Sequence, residues 1–478
     1  MNPLPRLIVL LSLLFLAPVG AFAKTLSEAE FVRAFLEKNP RVEGLRLNPK
    51  VALQEERGAK GDFDPLLFLE GHYFIDQTAK GTTVFGTDNR ELTYQAGLEK
   101  KWSSGLQSKF SLRTDRETTD SPFATVSPSH EPRLALDLRQ NFLQNAFGFS
   151  DRRLLSSNAL LTESASLSTR SDLEGALAGA IASYWRLVSA QNFLKTNREF
   201  VKTANEFVRA VNVKKELGTA EDTDVYAARA LLLSRENDLT EAKKISASAV
   251  DEVVFLIQGD VREPIVTREE ASVPNPRTLD EEVLTALSKR GDLAALKQEL
   301  KARGIRVESA KNLRLPVIDL VTSLTLNGLT GDHAEALADA FTADNAAFFG
   351  GMEVAIPIPN RKGGAATKIE ELRRLQVLFR TKELEDRVVR EVREAHRNLA
   401  ALKTQVARSA EISRLHFQKW DAERKKFALG RSNSDTVIRY EKEWVEARWR
   451  LIEAELKGRM AWIELRRSVG DLLEMTVN

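Results

Sequence analysis

The chain has 478 residues, 29% of them charged, and a formal net charge of +2 at pH 7. This balance argues against a nucleic-acid-binding protein, which would be strongly basic. The chain contains no cysteine. This excludes disulfide bonds, thiolate metal sites and an N-terminal lipid anchor, because such an anchor is attached to a cysteine.

The first 23 residues predict a secretory signal peptide. Arg6 supplies the positive charge, residues 7–16 form a short apolar core, and Ala21-Phe22-Ala23 matches a small-x-small cleavage site. The core is shorter than the roughly 20 apolar residues that a transmembrane helix needs. The mature chain is therefore expected to begin at Lys24.

The mature chain contains an internal repeat. "LGTAEDTDV" at Leu217 and "LGRSNSDTV" at Leu429 align without a gap, and "EFVRAFLEKNP" and "EEVLTALSKRG" correspond farther upstream. These matches predict a first repeat over 24–260, a linker or equatorial segment over 261–275 and a second repeat over 276–478. Each repeat is predicted to hold a short helix, extended segments, a very long helix, a glycine turn and a second long helix.

Alternating apolar and polar residues predict β-strands with one apolar and one polar face. The segments with this alternation are 66–75, 92–102, 106–113, 133–142, 315–326 and 348–358. The second and third of them form a hairpin, about 91–114, that has no counterpart in the second repeat. This hairpin is predicted to pair onto the sheet, and a sheet that leaves it out is the alternative.

The long helices are predicted from two stretches without proline, about 150–217 and 364–429. At 1.5 Å per residue, each helix would be on the order of 100 Å long. Apolar residues recur at heptad spacing, as at Val388, Val392 and Ala395, which is the seam pattern of a coiled coil. The core of an ordinary helical bundle is the alternative, but globular helices seldom exceed about 25 residues.

Strands with one apolar face, joined to very long helices in an exported chain, indicate a membrane barrel shared between copies. One chain supplies too few strands to close a barrel around a lumen. Strand edges cannot remain unpaired in lipid. Several copies are therefore expected to close one barrel together, with the helices continuing away from the membrane.

In the order of its motifs, the chain resembles the outer-membrane efflux proteins of the TolC type over essentially the whole mature length. The motifs are Asn39-Pro40, "LRLPVIDL" (313–320), "VAIPIPNRKGGAA" (354–366) and the two stretches that begin at Leu217 and Leu429. The resemblance implies an α+β fold, in which a homotrimeric outer-membrane β-barrel is continued by a long α-helical coiled-coil barrel in the periplasm. The family usually has four strands per protomer, whereas six are predicted here.

The resemblance also implies a function. Proteins of this family form the exit duct of tripartite efflux pumps or type I secretion systems, together with a periplasmic adaptor and an inner-membrane transporter. This chain is accordingly expected in the outer membrane of a Gram-negative bacterium, in contact with its lipid and extending into the periplasm, without a lipid anchor. It would be a passive channel and not an enzyme.

The two glycine turns are the candidate docking site. Gly218 and Gly430 are predicted to end the long helices in the left-handed conformation, and the polar residues after them to cap the next helices. Capping explains most of these side chains without a further role. By resemblance, the turns would also contact the adaptor's helical hairpin, through Leu217, Gly218, Thr219, Leu429, Gly430, Arg431 and Ser432.

Acidic residues beside the turns are the candidate pore constriction. In a trimer six such turns would converge, and rings of carboxylates favour cations and narrow a pore. Asp435 is the nearest match to the family's acids, but Thr436 stands at the usual acidic position and Arg439 at that of a further acid. The ring is therefore expected to be weaker, or to be supplied by Glu221, Asp222 and Asp224.

No cofactor, metal ion or nucleic acid is expected as a partner. The five histidines show no metal-ligand spacing, and neither a phosphate loop nor a GxSxG motif occurs. The main alternative to a channel is a periplasm-spanning coiled-coil scaffold without a pore, although a scaffold needs no strands. A periplasmic adaptor would have one helical hairpin between small β-domains, not two matched halves.

Overall fold

A computed structural model describes residues 24–259, 265–267, 273–342 and 344–477. The predicted signal peptide lies outside the described residues, and so does most of the predicted linker, at 261–264 and 268–272. The chain divides into two compact units, each assembled from distant stretches of sequence. The helical unit comprises the described residues of Met1–Glu43, Glu174–Glu282 and Val392–Asn478, and the sheet unit comprises those of Gly44–Leu173 and Val283–Glu391.

Helices make up most of the described chain. Two of them have 68 residues each and two have 36 residues each, and each repeat holds one of either length. Within the described residues, none of the helices is both long and apolar enough to cross a bilayer. The α-helices are α1 (Glu28–Lys38), α2 (Pro40–Lys60), α3 (Phe149–Glu216), α4 (Asp222–Ile257), α5 (Leu279–Lys289), α6 (Gly291–Asn312), α7 (His333–Thr342), α8 (Arg361–Ala428), α9 (Ser434–Val469) and α10 (Leu472–Val477).

The predicted strands form one six-stranded sheet in the order β2-β3-β4-β5-β7-β8, in which every neighbouring pair is antiparallel. The extra hairpin, β3 and β4, lies inside this sheet, which confirms the prediction that it pairs there. A small parallel pair, β1 with β6, was not predicted. The strands are β1 (Lys24–Leu26), β2 (Leu66–Asp76), β3 (Asn89–Lys101), β4 (Leu106–Thr119), β5 (Ser129–Asn141), β6 (Ile265–Thr267), β7 (Val317–Asn327) and β8 (Ala346–Ala355).

The first described elements, β1 and α1, are fixed to the helical unit. Ser27 and Glu30 form a capping box that begins α1. Phe31 of α1 is fully buried and stacks on Tyr184 of α3, with 5.4 Å between ring centroids. The Tyr184 hydroxyl donates a hydrogen bond of 2.9 Å to the carbonyl of Leu26. The residues that follow the predicted cleavage site therefore belong to the core.

The long helices bury the residues that the heptad pattern selects. Val388, Val392 and Leu399 of α8 are fully buried. On α9, small residues at the same spacing are buried, among them Ala447, Ala454 and Ala461. Small side chains allow neighbouring helices to approach closely, so burial depends on backbone proximity as well as on apolar area.

Helix α7, in the connection between β7 and β8, was not predicted. Its Ala336 and Ala340 are fully buried. A Cβ atom at Gly328 would lie 2.0 Å from the carbonyl oxygen of Ala336, so only glycine permits this contact. The helix depends on a close approach between backbones, which the pattern of the short stretch itself does not reveal.

Candidate functional site

The sheet has one strongly charged face. Residues that pair directly across neighbouring strands share a face, so the register defines its members. Ten carboxylates lie on this polar face against five bases, together with a few apolar residues such as Phe74 and Phe349. The carboxylates are Glu70, Asp76, Glu91, Glu99, Asp115, Glu117, Glu131, Asp137, Asp319 and Glu353, and the bases are Lys101, Lys109, Arg113, Arg133 and Arg139.

Ion pairs fix the bases of the polar face. Arg139 contacts Asp319 at 2.7 Å across the β5–β7 junction, and Lys109 contacts Glu99 at 2.8 Å. Each of the other three bases also has a carboxylate partner within 3 Å. Because the acids outnumber the bases, the polar face keeps a negative charge after all five bases are paired.

The opposite face of the sheet is apolar and exposed. Leu69, Phe348 and Met352 are 76%, 75% and 68% exposed. Within the six strands, the charged residues on this face are Arg90, Lys100 and Arg116, and all of them lie near strand ends. An exposed apolar area bounded by charges marks an interaction surface.

The uncharged band on this face has the height of a membrane. On β3, Leu92, Tyr94, Ala96 and Leu98 separate Arg90 from Lys100. At ~3.4 Å per residue and a strand tilt of about 45°, this separation corresponds to about 24 Å, close to the apolar band of outer-membrane barrels. The sheet therefore combines a lipid-compatible face with a charged face.

The two helix turns form a second candidate site, in the helical unit. Gly218 and Gly430 adopt φ of 72° and 74°, as predicted. In each turn the amide of the residue after the glycine donates back to a carbonyl five residues earlier, Thr219 to Lys214 at 2.8 Å and Arg431 to Lys426 at 2.9 Å. This Schellman geometry satisfies the last carbonyls of both long helices.

Local contacts engage the three predicted acids of the first turn. The Asp224 carboxylate accepts a hydrogen bond of 2.9 Å from the amide of Glu221, which caps α4. Thr223 donates to the Glu221 carboxylate at 3.4 Å. Asp222 forms an ion pair with Lys215. These carboxylates complete the turn and begin the next helix, as the capping interpretation predicts.

The second turn leaves its predicted acid free. Asn433 caps α9 by accepting a hydrogen bond of 2.9 Å from the amide of Thr436. Asp435 is exposed in the first turn of α9, and in the described part of the chain no ion pair or hydrogen bond engages its carboxylate. Of the four predicted constriction residues, Asp435 alone therefore has neither a hydrogen bond nor an ion pair at its carboxylate among the described residues.

Glu423 is a residue of the second turn that the sequence did not indicate. Its carboxylate accepts a hydrogen bond of 2.6 Å from the hydroxyl of Ser432 and contacts Lys426 at 3.2 Å. The hydrogen bond from Ser432, followed by the contact with Lys426, holds the pKa of Glu423 below its ordinary value. The partners lie nine positions apart across a turn, which no helical or strand period relates.

The two turns lie at the same end of the helical unit. A buried cluster beside them takes residues from α3, α4, α8 and α9, namely Phe207, Val211, Val225, Ala228, Leu231, Trp420, Phe427 and Val437. Within this cluster Trp420 stacks on Trp444, which packs against the cluster, with 4.6 Å between ring centroids. Leu217 and Leu429, which are predicted to dock the adaptor, are both 71% exposed at this end. The structure thus brings the two predicted sites into one region.

A buried ion pair beneath the turns joins two helical hairpins, α3 with α4 and α8 with α9. Arg235 of α4 contacts Glu441 of α9 through two hydrogen bonds, of 2.9 and 2.7 Å, and Asp238 at 2.8 Å. Burial lowers the pKa of the Arg235 guanidinium, but the hydrogen bonds and charges of Glu441 and Asp238 outweigh burial and raise that pKa above its ordinary value. No sequence pattern predicts this pair, because its members lie 206 residues apart.

The described residues contain no group of three or more metal-ligating side chains. A family model described as "X-Tfes, XVIPCD" matches residues 199–289. That match begins inside α3 and ends with α5, so it does not correspond to a folded unit. No match was found among curated proteins.

Solved structures match the chain over nearly its whole length. CusC, studied for folding and transmembrane channel formation, is 16% identical with a TM-score of 0.70, over 92% of this chain and 91% of its own. The outer-membrane channel OprN is 15% identical with a TM-score of 0.70, over 93% and 89%. The MtrE outer-membrane channel of Neisseria gonorrhoeae is 15% identical with a TM-score of 0.67, over 93% and 88%. The chain therefore has the fold of the TolC-type outer-membrane channels.

Proposed function

We propose that this protein is a passive exit channel in the outer membrane, the duct of a tripartite efflux pump or a type I secretion system. The observation that carries the proposal is the two-faced sheet, with an uncharged band about 24 Å high on one side and net negative charge on the other. The apolar face would contact lipid, and the acid-rich face would line a water-filled lumen.

The edges of the sheet favour an assembly of several copies. Within the described residues, β2 and β8 each pair with only one neighbour. Unpaired edges are not tolerated in lipid. At one end of the sheet the strands are connected by loops and not by the long helices. Since β2 runs towards this loop end and β8 runs away from it, β8 of one copy and β2 of the next would pair antiparallel. Three copies would close a barrel of about 18 strands, the size that leaves an aqueous channel.

The helices would extend into the periplasm, and their turns would meet the partners. Leu217 and Leu429 project from the end of the helical unit, and apolar side chains of this exposure are suited to contact another helical hairpin. We assign adaptor docking to the two turns, 217–219 and 429–432. The inner-membrane transporter would supply the energy for export.

Asp435 is the leading candidate for the pore constriction. Its carboxylate is exposed and unpaired among the described residues, whereas Glu221, Asp222 and Asp224 have local partners. In a trimer, three copies of Asp435 would form one ring that favours cations. Glu221 and Asp224 would add to the field around it, and Asp222 would add less because Lys215 balances its charge.

The test is single-channel conductance of the detergent-purified protein in planar bilayers. Asp435→Asn should lower the cation-to-anion permeability ratio at least about twofold, because a whole ring of charge is lost. Asp222→Asn is the matched control and should change the ratio less, since Lys215 already balances that charge. A conductance indifferent to Asp435 would move the constriction elsewhere. A protein that remains soluble without detergent and never conducts would favour the scaffold alternative.

A further inference from the structure

One arginine of the six-stranded sheet stands apart from the others. All five bases of the polar face have carboxylate partners. Arg116 lies on the opposite, apolar face of β4 and is exposed, and no carboxylate in the described part of the chain pairs with it. An unpaired guanidinium at the edge of an apolar band lacks the anion that its planar fork of donors would bind.

The position of Arg116 is defined by the register. It lies directly opposite Leu92 of β3 and His130 of β5, at the end of the sheet where the loops, and not the long helices, connect the strands. Further along the same face of β4, Leu112 and Phe110 continue the apolar band. Arg116 therefore lies at the edge of the uncharged band, level with Leu92, the first residue of the band on β3.

Helix α7 extends the apolar surface beside Arg116. The β5–β7 ladder continues past the strand ends, through the Gly328 amide to the Pro132 carbonyl at 3.2 Å and the bridge between His130 and Thr330. Gly328 and His130 thus lie on the apolar face, and both contact α7, His130 through the ring of His333 at 5.5 Å. The outer side of α7 exposes Ala338 and Phe341.

We propose that Arg116, with the apolar residues below it and α7 beside it, binds the phosphate group of a phosphorylated glycolipid in the outer leaflet. This inference rests on the proposed function, which orients the loop end of the sheet outwards. A guanidinium binds phosphate through paired hydrogen bonds, and the apolar band would take up the acyl chains.

The charges around the site favour one principal contact. Arg90, the other base at this end of the face, is already paired with Asp88 at 2.8 Å. Asp332 caps α7, and its carboxylate lies near His130 and His333, so a negative charge stands beside these two rings. Arg116 is therefore the residue on which phosphate binding depends.

The experiment measures binding of diphosphorylated lipid A to the detergent-purified protein. Arg116→Gln should weaken binding about tenfold or more, the size expected for one charge-assisted hydrogen bond. Arg116→Lys keeps the charge without the fork and should give an intermediate affinity. Lys100→Gln is the matched control, because it removes one charge from the same face at the opposite end of the band, and it should leave binding unchanged.

Two further arms identify the source of the phosphate. Dephosphorylated lipid A should bind wild type as weakly as intact lipid A binds Arg116→Gln. Inorganic phosphate should not compete at millimolar concentration, since it lacks the acyl chains; effective competition would overturn the lipid assignment. Equal binding by wild type and Arg116→Gln, or an equal loss in Lys100→Gln, would overturn the inference.

Conductance in bilayers without lipid A separates this inference from the proposed function. Arg116→Gln should conduct like wild type there, which also shows that the variant is folded. If both proteins conduct but the affinity for lipid A is the same in both, the proposed lipid site alone is overturned. If wild type never conducts, the proposed function fails, and the outward orientation of the site fails with it.

Discussion

The two helix turns share one backbone and differ in their charges. Gly218 and Gly430 have nearly the same φ, and both turns close with the same pair of backbone hydrogen bonds. In the first turn three acids are engaged in capping and ion pairing, whereas the second turn leaves Asp435 free. The repeat thus retains the geometry that ends one helix and begins another, and it leaves the charge free to differ.

The turns also differ in how they are attached to the preceding helix. At the first, Lys215 of α3 pairs with Asp222. At the second, Glu423 of α8 holds Ser432. An ion pair and a neutral donor on a carboxylate respond differently to mutation and pH, so the two turns provide internal controls for each other.

The largest effect on stability is expected from removing the ion pair between the two helical hairpins. Glu441→Leu leaves Arg235 buried with only Asp238 as a partner, and it should lower the free energy of unfolding of the helical unit by about 3–5 kcal/mol. Thermal unfolding followed by tryptophan fluorescence measures the change.

Two controls sharpen this measurement. Glu446→Gln removes an exposed carboxylate from the same helix and should cost less than about 0.5 kcal/mol. Arg235→Met combined with Glu441→Leu should recover most of the loss, because no buried charge then lacks its partner. If Glu441→Leu left the free energy of unfolding unchanged, the ion pair would not join the hairpins.

A smaller and equal effect is expected at the two glycines. Gly218→Ala and Gly430→Ala should each cost about 1–2 kcal/mol, from the left-handed conformation alone, since an added Cβ would meet no atom within 4 Å at either site. Unfolding of the two variants side by side tests the comparison directly. Clearly unequal costs would mean that the two turns are not equivalent.

Substituting the cap residues should cost different amounts of stability at the two turns. Asn433 accepts the hydrogen bond of its cap through its side chain, so Asn433→Ala should cost about 1 kcal/mol. At the first turn the bond runs from the Glu221 amide to Asp224, and Glu221→Ala keeps it, so that cost should be only about a few tenths of a kcal/mol. The same unfolding assay measures both variants, and a reversed order would contradict the assignment of the caps.

The smallest effect is a pH dependence of the second turn. The pKa of Glu423 is lowered from 4.5, so its contact with Ser432 is complete above that value and is lost as pH falls through the lowered pKa. A spin label at Leu429→Cys, the only cysteine in such a variant, should become more mobile in that acidic range. With Glu423→Gln added, the label should already be mobile at neutral pH. Equal mobility at both pH values in the labelled protein that retains Glu423 would refute the contact.

Local patterns in the sequence predicted the turns and the strands because their causes are local. A glycine followed by capping residues requires no distant partner, and alternation along a strand directly reveals its two faces. The end of β4 was placed too early, at 113 and not at Thr119. The residues "TDRETT" are polar, and they form strand because they pair with β3 from Asn89 onwards.

Features that depend on distant partners were missed. Helix α7 requires the close approach of Gly328, and the Arg235–Glu441 pair joins residues from different repeats. Whether the Asp435 carboxylate has a partner also depends on the neighbours that the fold places around it. The sequence could name the candidate acids, but the choice among them required their contacts.

The junction between β5 and β7 has a consequence for biogenesis. Its partners Arg139 and Asp319 are 180 residues apart, so in the proposed channel the sheet cannot be completed until β7 and β8 of the second repeat have been exported. Until then, β2 to β5 would present an unpaired edge and an apolar face to the periplasm, which is a hazard for aggregation. We therefore expect nascent chains of this protein to need a periplasmic chaperone, and chains truncated before β7 to be degraded and not inserted.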